Sequence, residues 1–216
     1  MDFRLGAPGE YGRGKRVIEA DRRGNLAAIR AAASHSRLTV VALHSHDQRP
    51  WLRGFAREAI DAGAAIVHVH GPHAVRGIEL HRGGVIFYGM GDFVYQTHLI
   101  DRFPSDAYER QGLPDDATPA DLVEVTHRQG GLFRREVYEG FVTVLEHGAA
   151  GFTGVRLLPI DLQFDAADAD RGRPRLAGPA IGSKIIAEVS ERSKPLGTHV
   201  RYDAERNEDI VEMRST

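Results

Sequence analysis

Two short apolar runs, each ending in histidines, limit what this chain can fold into. The first is "RLTVVALHSH": Leu38 to Leu43 is nearly continuous and rich in β-branched residues, and His44 and His46 follow it. The second is "AAIVHVHGPH": Val67 and Val69 alternate with His68 and His70, ahead of a Gly71-Pro72 turn and His73. Runs of this length and composition read as strands buried on both faces, as in helix-covered parallel sheets. Open α/β sheets place their sites beyond the carboxyl ends of the strands, which is where both histidine groups fall. Six of the chain's eleven histidines lie between His44 and His81.

The flanking segments fit such a sheet. "IEADRRGNLAAIRAAASHS" has Leu26, Ile29 and Ala33 at helical spacing and predicts a helix from about Asp21 to Ser34. "PWLRGFAREAIDAG" opens with Pro50 and closes at Gly63, with Trp51, Phe55, Ala59 and Ile60 as its apolar stripe. "RGIEL" and "GVIFYGM" flank the turn signal "HRGG" and read as a hairpin. The polar stretch Asp101 to Gly130 reads as an excursion with short helices around Ala107 and Ala120. Beyond it come two strands joined at "HGAAG", a loop, and an amphipathic helix with Ile181, Ile185, Ile186 and Val189 inward, stopped before Pro195. "HVRY" suits one more edge strand.

Composition closes off several alternatives. A net charge of −2 gives no global pull toward nucleic acid or anionic membrane. With no cysteine, any metal must be held by His, Asp, Glu or Asn, which suits Zn, Mn or Fe. No window approaches the ~18 apolar residues of a membrane span, and the N-terminus lacks a signal-type apolar core. The default expectation is therefore a cytoplasmic chain.

Metal ligation needs imidazoles that converge from strand-end loops, each oriented through its second ring nitrogen. His70 and His73 flank a tight turn able to aim both rings at one place. His68 and His70 share a strand face opposite Val67 and Val69, and His44 comes from the neighbouring strand end. A lone histidine is more often a polar loop residue. Two groups at two strand ends favour a metal or phosphate site. Other candidates are weaker. "YGMGDF" lacks the rest of a dinucleotide fingerprint and reads as a turn. Ser45 has no nucleophile elbow around it. Asp47 reads first as a solvated loop residue, and so do Arg171, Arg173 and Arg175, although the arginines would also suit phosphate or carboxylate.

The block "IDAGAAIVHVHGPHAVRGIEL", followed by "GVIFYGMGDFVYQ", resembles the signature of the CapA-type poly-gamma-glutamate synthesis proteins, within the calcineurin-like metallophosphatase superfamily. "GLPDDATPAD", "LLPIDLQF" and "RGRPRLA" resemble the tail of one bacterial subgroup, so the likeness runs from about Ile29 to His199, with Ile60 to Phe93 its specific part. The resemblance implies an α/β fold, a partial calcineurin-like metallophosphatase β-sandwich flanked by helices. It implies His44, His70 and His73 as ligands of a divalent metal, dinuclear in the complete fold. It implies secondary candidates at His68, Asp92 and Glu79, with His46 and Asp47 as further possible catalytic groups. Asp92 stands where the family usually has Asn, Ala65 where it has Asp, and Val69 where it has Gly.

The superfamily's remaining ligands come from an Asp-x-His, a bridging Asp and an Asn-His pair in an N-terminal half. No Asp-x-His occurs here, and neither Asn25 nor Asn207 precedes a histidine. The expectation is a single domain over residues 1–216 that corresponds to the C-terminal half of the fold. Residues 1–20 would be poorly ordered, 29–96 the histidine-bearing α/β core, and 131–202 the hairpin and C-terminal helix. Two functions stay open: a metal-dependent hydrolase tied to capsule biosynthesis, completed by an N-terminal half, or a non-catalytic binding or partner module that keeps the fold. A mononuclear three-histidine site is a remoter third. The resemblance also implies a small-molecule or polymer substrate bearing phosphate or carboxylate groups. Partners would be a second copy of the chain or a missing N-terminal half, with no nucleic acid.

Overall fold

The computed structural model describes residues 17–46, 50–148, 151–203 and the backbone of 208–211. Its first sheet has the strand order β1-β2-β4-β3, from β1 (Val40–His44), β2 (Ile66–His70), β3 (Ile78–His81) and β4 (Gly84–Phe87). β1, β2 and β4 run parallel, and β3 turns back on β4 as the expected hairpin. Arg82 and Gly83 both take positive φ in that turn. Two helices, α1 (Glu19–His35) and α2 (Pro50–Asp61), cover one face. Their side chains Leu26, Ile29, Leu52, Ala56, Ala59 and Ile60 bury against Val67, Val69 and Ile86. The inward stripe of α2 is thus Leu52, Ala56, Ala59 and Ile60, and Trp51 and Phe55 only flank it. Two alanines on that stripe let the helix backbone approach the sheet.

The second sheet is built on β5 (Glu139–Gly148) and β6 (Gly151–Asp161), the expected antiparallel pair. β7 (Arg175–Leu176) and β9 (Glu208–Val211) pair with β6, and β8 (Val200–Asp203) pairs with β9. The C-terminal helix, α5 (Pro179–Ser193), packs Ile185, Ile186 and Val189 into the core between the sheets, beside Ile66, Ile78, Phe87, Phe141 and Leu157. The molecule is therefore mixed α/β, two sheets with flanking helices, as the sequence implied. The polar excursion carries α3 (Ser105–Arg110) and α4 (Pro119–Gln129), the latter opened by a Thr118–Asp121 capping box.

One expectation fails. The Leu38 to Leu43 run is not buried on both faces: Leu38 and Val40 are 43% and 54% exposed, and β1 alternates exposed with half-buried. Among the described residues β1 stands at the edge of its sheet, where apolar side chains have one neighbouring strand instead of two. The expectation for residues 1–20 lies mostly outside the described residues; within them, Glu19 and Ala20 open α1. Among the described residues, no helix is long and apolar enough to cross a membrane.

Candidate functional site

Parallel pairing places His44 opposite His70 at the carboxyl ends of β1 and β2. In parallel strands, facing residues point to the same side, so the two rings meet with centroids 4.9 Å apart and Nδ1 to Nδ1 at 3.1 Å. The Ser45 N–H donates to the His70 carbonyl (2.8 Å), carrying the ladder one step past β1 and bringing His46 back toward His44. There the two Nε2 atoms lie 3.2 Å apart. Gly71 has φ 107°, and a Cβ built there would lie 3.1 Å from the His44 ring. The turn therefore needs glycine both for its backbone and for the imidazole beside it.

His73 sits at φ 50°, a left-handed conformation rare outside glycine. Its Nδ1 lies 2.9 and 3.1 Å from the two Asp92 carboxylate oxygens. A carboxylate only accepts, so Nδ1 carries a ring proton, and Nε2 is the atom the neutral ring would offer to a metal. That is the arrangement by which a carboxylate orients a metal-binding imidazole. The His73 ring lies 5.6 Å from His46 and 5.9 Å from Tyr95. The structure thus gathers His70, His44, His46 and His73 into one contiguous row. His68 flanks it, 5.6 Å from His70. Burial, and then the neighbouring His70, pull the pKa of His68 down.

The donor chemistry suits a divalent cation in pairs. Two nitrogens on one tetrahedral ion, each at about 2.0–2.1 Å, are separated by about 3.3 Å, close to both contacts of His44. Those contacts use opposite nitrogens of that ring, however, and one ion cannot take both. Among the described residues, no group of three His, Asp or Glu side chains is arranged to hold a metal ion. Asp47 lies outside the described residues. Glu79 is placed elsewhere, nearly fully buried and bound by Arg53 (3.0 and 3.2 Å), Arg57 (2.8 Å) and the Tyr88 hydroxyl (2.7 Å). Burial pushes its carboxyl up, and these hydrogen bonds outweigh that and leave it below the usual range.

Two further residues, which the sequence reading does not single out, join the row. Tyr95 is buried beside His73, and His127 of α4 stacks on it with centroids 5.3 Å apart. Burial, helped by Asp92 and Tyr138, pushes the Tyr95 hydroxyl up to about 12. Burial, with His98 and His73, pulls His127 down. The only signal in sequence is a histidine in an otherwise polar excursion. The arginine loop is largely paired within itself: Arg171 with Asp168, Arg173 with Asp170, and Arg175 with Asp161.

Residues 6–97 match the profile of a family described as bacterial capsule synthesis protein PGA_cap. The uncharacterized protein y4sH of Sinorhizobium fredii is 28% identical over 194 residues, covering 82% of this chain and 42% of the relative. The PGA biosynthesis protein CapA of Bacillus subtilis is 37% identical over 84 residues, 37% of this chain and 22% of the relative. The capsule biosynthesis protein CapA of Bacillus anthracis is 36% identical over 99 residues, 43% and 24% respectively. The chain spans less than half the length of each of these relatives.

Proposed function

Over residues 6–97 this chain belongs to the CapA-type family of bacterial capsule synthesis proteins, and on that footing we propose that its histidine row is one side of a divalent-metal centre serving hydrolytic chemistry in capsule biosynthesis. The observation that carries the proposal is the row itself: imidazoles at the ends of adjacent parallel strands, with Asp92 fixing the ring of His73. His44, His46, His70 and His73 would hold Mn, Fe or Zn, and a second ion would need donors beyond this row. A bound cation supplies Lewis acidity toward a phosphate or carboxylate-bearing substrate. The chain's own groups do the rest. Asp92 holds the proton on His73 Nδ1 and leaves Nε2 free. Tyr95, protonated at neutral pH, offers a hydroxyl beside that ring.

A second reading, a binding or partner module without turnover, is favoured by one observation: no described set of three donors is arranged around a single point. On either reading the 216-residue chain alone should hydrolyse a model phosphodiester poorly, because no described set of three donors surrounds a single point. Calorimetric titration with Zn²⁺ or Mn²⁺ tests the metal claim. The expected result is binding by the purified chain that weakens at least tenfold in His70→Ala. Absent binding, or binding indifferent to that substitution, overturns it.

A further inference from the structure

At the opposite side of the first sheet from β1, where β3 and the end of β4 meet α2 and α5, lies a cavity of about 470 Å³. Its polar lining is three arginines, Arg53, Arg76 and Arg192, and its floor includes Leu52, Tyr88 and Leu196. None of the histidines of the row lines it. We propose that this cavity is a binding site for a compact oxyanion, a phosphate or carboxylate group, separate from the histidine row.

Arg76 carries the argument. Its Nε is buried and has no hydrogen-bond partner, and among the described residues its guanidinium forms no ion pair. An unsatisfied buried donor on a permanent cation is costly to leave unmet, and an anion in the cavity would meet it. Its surroundings do not compensate it. Burial comes first among the effects that lower its pKa, followed by repulsion from Arg192 and from Arg134, with only Glu188 opposing.

The other two arginines are committed on one side only. Arg53 gives Nε and one Nη to Glu79, and Arg192 gives Nε and one Nη to Glu188, so each keeps a terminal nitrogen outside its pair. Glu79 is itself shared with Arg57. The acidic groups at hand, Glu79 and Glu188, therefore face four guanidiniums, and the cavity keeps a positive excess. The first turn of α2 lies along it and, among the described residues, holds no acidic residue to offset the positive end of the helix dipole. Forked guanidiniums over an apolar floor suit planar or tetrahedral oxyanions.

Thermal melting of the full chain with added inorganic phosphate, and separately with malonate, decides the matter. Arg76→Met keeps the aliphatic stem and removes the charge. The wild-type chain should melt several degrees higher with millimolar phosphate, malonate or both, and the responding anion tells phosphate from carboxylate recognition. Arg76→Met should lose at least nine-tenths of that shift. In anion-free buffer it should melt no lower than wild type, which guards against a folding defect. His70→Ala should respond to the anions as wild type does, which separates this site from the metal proposal. No shift with either anion up to tens of millimolar, or an equal shift in Arg76→Met, overturns the proposal.

Discussion

Gly71 is the residue on which the histidine row most depends. Alanine there would meet the His44 ring at 3.1 Å while holding φ near 107°. A left-handed conformation alone costs an L-residue about 1–2 kcal/mol. Gly71→Ala should therefore lower stability by about that amount and displace His44, seen as a lower denaturation midpoint and a shifted His44 imidazole proton resonance. His68 and His127 give a second residue-scale prediction. Both have folded-state pKa values lowered by burial, so the folded state resists protonation more than the unfolded chain does, whose histidines titrate near ~6.5. Their contribution is complete above that value and is lost as pH falls below it. The urea midpoint should fall between about pH 7 and pH 5, and less steeply in His68→Gln and His127→Gln. At this scale the candidate site was partly legible. The closeness of His44, His70 and His73 was readable because strand ends and a Gly-Pro turn are local patterns. Tyr95 and His127 were not, because tertiary packing of the excursion brings them in.

At the scale of elements, the Glu79 network ties α2 to the hairpin β3–β4. Arg53 and Arg57 reach from the helix, and Tyr88 reaches from the residue after β4. Breaking a buried pair costs about 3–5 kcal/mol. Here the two arginines are 39% and 42% exposed, so water screens part of the loss. Glu79→Gln should cost about 2 kcal/mol, and hydrogen exchange should quicken first along β3 and the start of α2. Sequence offered Glu79 as a possible site residue, because an acid in a histidine-rich block looks chemical. Strand alternation puts it among the helix arginines instead. Strand identity was mostly legible: β1, β2, the two hairpins, β8 and α5 follow from β-branched runs, turn residues and helical spacing, whereas β7 lies where the sequence reads as a loop and β9 was not expected. Strand position was not. Leu38 to Leu43 has a composition suited to the middle of a sheet and occupies its edge, because composition reports what a strand can bury and says nothing of how many neighbours it has.

For the molecule as a whole, that edge is expected to govern association in solution. Among the described residues β1 pairs only with β2, and Leu38 and Val40 stand exposed beside the open side. An exposed strand edge with apolar side chains recruits another strand. Sedimentation velocity at micromolar concentration should show dimer or larger species, and Val40→Lys should shift the distribution toward monomer. A concentration-independent monomer in both would mean that the sheet is closed within the chain itself. The central claim, that the histidine row at the ends of β1 and β2 holds a divalent cation, is tested most directly by diffraction. Crystals of the full chain grown with Mn²⁺ or Zn²⁺ should show an anomalous peak within bonding distance of at least two nitrogens among His44, His46, His70 and His73. Well-ordered rings with no peak beside them, at saturating metal, would contradict the account.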